Sequence, residues 1–307
     1  MFAALLERLN PMSNQSTLKI VLPHVFSRDT LYIMLKVVLS GLENGHRKVI
    51  FDCTNLNKIE VGGVTALSNV VELYRNANVN VTFQNAKTCG AAAFLEGSGF
   101  LAQYQNNEPR KVNIAGEFFC LKLIEYTRSH SYLNNELIPW LAKILQQDVR
   151  ALATLKVCFE EIFNNIQDHS TVKMGCCCAH YDPTDKKIII CMSDFGVGIP
   201  AKVRSKIETA SDQAAIAKAC EHGFSTHSTP GNMGAGLHVL IQNVVTKNSG
   251  SVIIFSGNGI YSCVPGAKGS GRSAPHGGVY PGTMIYITID TKKFVPSEID
   301  KEAFVWE

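Results

Sequence analysis

The segment LATLKVCFEEIFNNIQDHS (residues 152–170) shows a strong helical pattern, and it contains two interleaved polar series. At about 100° per residue, one apolar series predicts the buried face of the helix: Leu155, Phe159, Ile162 and Ile166. One polar series points away from this face, and we expect it to be solvated: Glu160, Asn164 and Asp168. The other polar series lies on the flank of the apolar face: Glu161, Asn165 and His169.

Polar groups on such a flank are partly buried, and a buried carboxylate is costly without a partner or a function. Two interpretations therefore stay open for Glu161 and its neighbours. One is a structural network along the helix flank, and the other is a functional site.

Two glycine-containing segments follow. SDFGVGIP (193–200) places Asp194 at the end of an apolar strand, and TPGNMGAGLHVLIQ (229–242) places three glycines before an apolar helix. Glycines at a helix N-terminus let backbone N–H groups approach phosphate oxygens. Each segment alone is also compatible with ordinary turn formation.

The order of these motifs is more specific than any one of them. E-x-x-x-N-x-x-x-H, D-x-G-x-G and G-x-x-G-x-G-L are followed by Gly282-Thr283 on a late strand. Over residues 115–295 this set resembles the GHKL-type ATPase domain of histidine kinases, Hsp90, MutL and type II topoisomerases. The resemblance implies a two-layer α/β sandwich of the Bergerat type that binds ATP and Mg²⁺.

The resemblance also implies roles for single side chains. Asn165 would supply an oxygen ligand to Mg²⁺, and Glu161 would act as the general base. His169 would face the phosphates. Asp194 would accept a hydrogen bond from the adenine amino group, with Thr283 supporting it through water.

Backbone groups would complete this site. Gly196 and Gly198 would leave room for the adenine ring, and residues 199–233 would form a lid over ATP. A further set would wrap the phosphates: Gly234, Ala235, Gly236 and Leu237.

The first part of the chain alternates strands and helices, which predicts an α/β domain with a parallel or mixed sheet. KVIFD (48–52) and the following helix make residues 16–105 resemble a STAS domain, the fold of bacterial anti-sigma-factor antagonists. Those antagonists carry a phosphate-accepting Ser or Thr in a loop that reads Glu60-Val61-Gly62-Gly63 here. The resemblance therefore implies docking or regulation, and not phosphorylation of this domain.

We accordingly expect a mixed α/β and α+β chain of two domains. Its predicted parts are an N-terminal tail (1–15), the STAS-like domain (16–105), a linker (106–114), the ATP-binding domain (115–295) and a C-terminal tail (296–307).

The composition and charge of the chain argue against two kinds of partner. The chain has 307 residues, of which 46% are hydrophobic, and 29 Lys and Arg against 26 Asp and Glu give a net charge of +3. This balance predicts neither a nucleic-acid nor a membrane partner. Without a signal-peptide pattern or an 18-residue apolar run, we expect a cytoplasmic protein.

Two further patterns predict no binding site. VPGAKGSGRS (264–273) approaches a P-loop but lacks the lysine and a following helix, so we expect a flexible loop over 257–281. Cys176, Cys177 and Cys178 alternate between the faces of a strand and cannot converge on one metal ion.

Two functions fit these expectations. One is a protein kinase of the anti-sigma type, which transfers the γ-phosphate of ATP to a Ser or Thr of a partner protein. The other is a nucleotide-gated switch whose STAS-like domain or lid binds a partner without phosphotransfer. The sequence leaves a homodimer open.

Overall fold

The computed structural model describes residues 17–105, 117–167, 174–194, 196–224 and 236–296. Residues 17–105, the N-terminal unit, alternate strands and helices as predicted. In chain order the elements are β1 (Thr17–Val21), β2 (Val25–Phe26), α1 (Leu31–Glu43), β3 (Lys48–Asp52), β4 (Lys58–Ile59), α2 (Val61–Asn76), β5 (Asn80–Gln84), α3 (Ala92–Gly97) and α4 (Phe100–Tyr104).

The N-terminal unit is built on a parallel sheet of three strands in the order β1-β3-β5. Strands β2 and β4 form a separate short parallel pair. Gly45 follows α1 with a φ of +71°, a backbone conformation that glycine adopts freely, and this ends the helix where the sequence predicts.

Residues 117–296, the C-terminal unit, contain the remaining elements. They are β6 (Phe118–Glu125), α5 (Tyr126–Tyr132), α6 (Ile138–Leu145), α7 (Ala153–Gln167), β7 (Met174–Asp182), β8 (Lys187–Asp194), α8 (Gly198–Arg204), α9 (Asp212–Ala219), α10 (Gly236–Ile241), β9 (Ser251–Gly257), β10 (Gly259–Cys263), β11 (Ser270–Ser273) and β12 (Tyr280–Asp290). π-Helical turns extend α5 over Leu133–Leu137 and α10 over Gln242–Lys247, and 3₁₀ turns cover Val149–Leu152 and Pro275–Gly277.

Seven strands of the C-terminal unit form one antiparallel sheet in the order β11-β10-β9-β12-β8-β7-β6. Mixed α/β structure is thus confirmed. Apolar runs on both sides of the turn DPTD (182–185) predict a hairpin, which β7 and β8 form, and its register pairs Cys178 with Cys191.

Three expectations for this unit were wrong or incomplete. Strand β6 was not predicted, although FFCLKLIE alternates along a half-buried edge strand. The helical pattern that dominates the sequence from about 131 to 169 is present, but π and 3₁₀ turns divide it into α5, α6 and α7. Residues 257–281 are not simply a loop, because β10 and β11 extend the sheet there and α9 packs on both strands.

The seven-stranded sheet has two faces, which alternate along each strand. The face that carries Ile190 and Met192 packs against α6, α7 and α10, and we call it the front face. The face that carries Cys191 forms a single apolar core together with the N-terminal unit, and we call it the back face.

Helix α2 fills the space behind the sheet. It contacts β7 and β8 on one side and β5 of the small sheet on the other. Thirteen of its sixteen residues are buried, as expected for a helix between two sheets and not for one at a surface.

No helix within the described residues is both long enough and apolar enough to cross a membrane.

Candidate functional site

The end of strand β8 carries a carboxyl group that is largely withdrawn from water. Asp194 is the last residue of β8 and pairs with Gly175 of β7 and Thr283 of β12. Burial raises the pKa of its carboxyl to about 6, against the opposing effects of the Gly196 N–H, the Lys202 charge and the Thr283 backbone. A carboxyl group perturbed in this way marks a candidate functional site.

The turn after Asp194 is fixed to two neighbouring strands. Gly198 has a φ of +81°, and a Cβ at this position would lie 2.7 Å from Ser256 Oγ and 3.0 Å from the Gly282 carbonyl oxygen. The Ser256 hydroxyl donates to that carbonyl at 2.7 Å and accepts the Ile199 N–H at 3.0 Å. Glycine at 198 is therefore needed for the close approach of this turn to β9 and β12.

An irregularity in β12 places Thr283 beside Asp194. The pairing of β12 with β9 shifts between Tyr280 and Thr283, with Gly282 at a φ of +81° inside the shift. β-Bulges of this kind redirect side chains and are frequent next to active sites. The Thr283 hydroxyl is 3.1 Å from Ser256 Oγ, so the threonine is held on the same face as Asp194.

Glu161 and Gly236 are far apart in sequence and adjacent in the structure. Glu161 lies on α7 and is half-buried, and Gly236 is the first residue of α10, which packs on α7. A Cβ at Gly236 would lie 2.7 Å from Glu161 Cβ and 3.6 Å from Glu161 Oε2. The carboxylate predicted as general base thus stands beside the end of the predicted phosphate loop.

A short stretch of sequence separates α7 from the strand that pairs with Asp194. Helix α7 ends at Gln167, and β7 begins at Met174 after six intervening residues. The next residue, Gly175, is the one that pairs with Asp194.

Several predicted site residues lie outside this description. Asn165 belongs to α7 and is one turn beyond Glu161, but its side chain is outside the described residues, as are His169, Gly234 and Ala235 altogether. Leu237 is described and packs partly buried against the front core.

The helical-wheel assignment of α7 holds for its apolar face and needs one correction. Leu155, Phe159 and Ile162 are buried as predicted. Glu160 was expected to be solvated, but its side chain is only 28% exposed and lies 3.0 Å from His130 Nδ1 and 3.8 Å from Lys156 Nζ. Helix α5 packs on α7 and brings His130 over this position.

The patterns predicted to bind nothing fall in ordinary structure. The described residues contain no group of three or more His, Cys, Asp or Glu side chains that could hold a metal ion. Cys176 and Cys178 face the back core and Cys177 faces the front core, as the alternation predicts. The P-loop-like segment forms a turn and strand β11.

The loop compared above with the STAS acceptor loop is buried against the back of the sheet. Glu60 Oε1 accepts the Arg28 N–H at 2.8 Å, and burial raises the pKa of its carboxyl. A Cβ at Gly62 would lie 3.1 Å from the Tyr286 ring, over which Arg28 also stacks. Thr65 is fully buried one turn later.

Sequence reasoning missed the polar residues behind the site. Ser193 precedes Asp194 on the opposite face of β8, and its partners are Asn69 of α2 and Tyr280 of β12. The only signal in the sequence was a serine inside an otherwise apolar strand.

Comparison with models of known protein families finds no match, and comparison with curated proteins finds none either. The geometry around Asp194 and Glu161 therefore carries the functional inference.

Proposed function

We propose that this chain is a Mg²⁺-dependent ATP-binding regulatory protein of the cytoplasm, with a Bergerat-type ATPase domain of the histidine kinase and Hsp90 kind behind a STAS-like domain. We further propose that it is a protein kinase of the anti-sigma type acting on a serine or threonine of a partner protein.

One observation supports the proposal: four residues implied by the ATPase resemblance form two pairs of neighbours in the structure. Asp194 pairs with Thr283, and Glu161 lies against Gly236. The first pair is suited to adenine, because a carboxylate accepts a hydrogen bond from an exocyclic amino group. The second pair is suited to phosphate, because glycine at a helix start exposes backbone N–H groups.

The chemistry assigned to Glu161 is proton removal. The hydroxyl oxygen of the acceptor forms a bond to the γ-phosphorus while the bond between that phosphorus and the β,γ-bridging oxygen breaks. The hydroxyl proton passes to the Glu161 carboxylate, and ADP leaves. With water as acceptor, the same steps give ATP hydrolysis.

The chemistry of the described residues suits Mg²⁺·ATP, because the Glu161 carboxylate lies beside the glycine that begins α10 and the Asp194 carboxylate lies at a strand end. Asn165 would hold Mg²⁺ together with phosphate oxygens, because this ion takes few protein ligands when phosphates are present. When bound, the ion would neutralise charge on the phosphates.

A nucleotide-gated switch without phosphotransfer is the second candidate, and one observation favours it. The N-terminal unit shares a continuous core with the sheet, and its loop at Glu60 is covered by β12. A unit packed in this way is suited to respond to a change in the conformation of the sheet. It does not act as a free phosphate acceptor.

The two candidates differ in where the phosphate goes. The purified chain is incubated with Mg²⁺ and γ-labelled ATP, alone and with an anti-sigma-factor antagonist that carries a Ser or Thr in its acceptor loop. Label on the antagonist supports the kinase, and free phosphate alone supports the switch. If the chain fails to bind Mg²⁺·ATP in calorimetry, both candidates are excluded.

A further inference from the structure

A buried polar network joins the N-terminal unit to the sheet directly behind Asp194. Asn69 of α2 donates from Nδ2 to Ser193 Oγ and, at 2.9 Å, to the Tyr280 hydroxyl. Its Oδ1 accepts the Cys176 thiol at 3.1 Å. All four residues are almost fully buried.

The hydrogen bonds of this network run in a single direction. Ser193 Oγ donates to the Thr283 carbonyl oxygen at 2.9 Å, so it must accept from the Tyr280 hydroxyl, which lies 2.7 Å away. Tyr280 in turn accepts from Asn69. Each N–H or O–H group from Asn69 to Ser193 then has one acceptor, and the Asn69 amide donates two of the hydrogen bonds.

The network ends on the peptide that supports the candidate adenine site. Thr283 accepts from Ser193 through its carbonyl, while its backbone also makes a hydrogen bond that stabilises the ionised Asp194 carboxyl. Ser193 and Asp194 are consecutive, and Thr283 follows the bulge that begins at Tyr280. Asn69 is thus connected to both strands that form this end of the site.

The location of Asn69 makes this connection unusual. It lies on the helix between the two sheets, and its side chain makes three hydrogen bonds in a contact that is mostly apolar. A buried polar network of this kind constrains geometry more strongly than apolar packing does, because each unmade bond is costly.

We propose that Asn69 is a positioning residue through which the N-terminal unit sets the geometry of the adenine-binding end of the nucleotide site. The inference rests on the proposed function for its ligand, but not for the coupling itself. A partner that shifts α2 would alter adenine binding, and by linkage bound nucleotide would stabilise the contact between the units.

Asn69→Ala in the full chain tests this inference, with Ser98→Ala as the matched control. Ser98 follows α3, is equally buried and donates from Oγ to the Leu95 carbonyl oxygen at 3.2 Å within the N-terminal unit. Dissociation constants are measured for Mg²⁺·ATP and for Mg²⁺·tripolyphosphate, which lacks adenine. Amide hydrogen exchange is measured without ligand over residues 196–199 and 280–284.

Asn69→Ala should weaken Mg²⁺·ATP binding about tenfold and leave tripolyphosphate binding unchanged, because only the adenine end loses support. It should also speed exchange at both segments, whereas Ser98→Ala should do neither. Equal weakening of both ligands, or equal behaviour of the two variants, would overturn the inference.

Tyr280→Phe provides a second variant that keeps the ring and removes one acceptor of the Asn69 amide. If Asn69→Ala does not fold, Tyr280→Phe must show the same selective loss, in smaller degree, or the inference fails. If the wild-type chain binds neither ligand, the proposed function fails. The exchange comparison then still decides whether Asn69 supports this strand end.

Discussion

The two faces of the seven-stranded sheet are covered in different ways. The front face packs against helices of the C-terminal unit, and Asp194 and Thr283 belong to it. The back face packs against α2 of the N-terminal unit, and it carries Ser193 and Tyr286. Ser193 and Asp194 are adjacent in one strand and therefore face different parts of the chain.

Under the proposed function, one strand would combine binding with regulation. Side chains alternate at every residue, so a ligand group on the front and a coupling group on the back are separated by a single peptide. The front face should respond to substitution mainly in binding or turnover. The back face should respond mainly in stability and in coupling between the units.

Asp194→Asn should have the largest effect on the front face, with Mg²⁺·ATP binding weakened at least about 100-fold. An amide has one acceptor oxygen, while the backbone N–H groups and adenine all require acceptors from this side chain. Titration calorimetry measures the loss. Asp290→Asn, at the opposite end of β12, is the control and should bind normally.

The same substitution should stabilise the protein at pH 7. Because the folded pKa of Asp194 is raised from 3.8 to about 6, wild-type stability falls as pH rises between these values and is constant above them. Asparagine resembles the protonated carboxyl, so the free energy of unfolding should rise by about 1–3 kcal/mol at pH 7. A gain that persists below pH 4 would contradict this account.

Glu161→Ala should lower turnover about 100-fold or more while Mg²⁺·ATP still binds, because proton removal is lost and the phosphate contacts remain. Phosphate release and calorimetry separate the two effects. Glu160→Ala is the matched control one residue away, and its partly exposed pairs predict a stability change below about 1 kcal/mol. A large loss of turnover from Glu160→Ala instead would assign the chemistry to the other polar series.

Gly236→Ala and Gly62→Ala compare the two faces directly. The new methyl group would lie 2.7 Å from Glu161 Cβ on the front and 3.1 Å from the Tyr286 ring on the back. We expect Gly236→Ala to destabilise by about 1–3 kcal/mol and to reduce turnover, and Gly62→Ala to destabilise less and leave turnover intact. Denaturant unfolding and phosphate release measure both. Equal losses of turnover would remove the distinction between the faces.

The front face was largely predictable from the sequence, and the back face was not. Periodicity identified α7 and its buried residues, and alternation placed the hairpin of β7 and β8. The adjacency of Glu161 and Gly236 followed only from the order of motifs, since no local pattern records a contact between distant helices.

The sequence contains fewer features that indicate the docking of α2 behind the sheet. Its helix has apolar residues around most of its circumference, which indicates burial without naming the partner. Asn69 and Ser193 look like isolated polar residues until the two sheets are placed together. The sequence did not predict strands β10 and β11, because their glycines, which allow close packing on α9, are also typical of loops.

The smallest expected effect is a pH dependence at the adenine end of the front face. With a folded pKa of about 6, the fraction of Asp194 that is ionised falls about fourfold between pH 7.5 and 5.5. Since the ionised form accepts the hydrogen bonds, Mg²⁺·ADP affinity should fall by about that factor. Phosphates titrate in the same range, so the ratio of Mg²⁺·ADP to Mg²⁺·tripolyphosphate affinity is the quantity to follow. A ratio that does not change with pH would separate Asp194 from adenine recognition, whereas a change that Asn69→Ala alters and Ser98→Ala preserves would connect the back face to it.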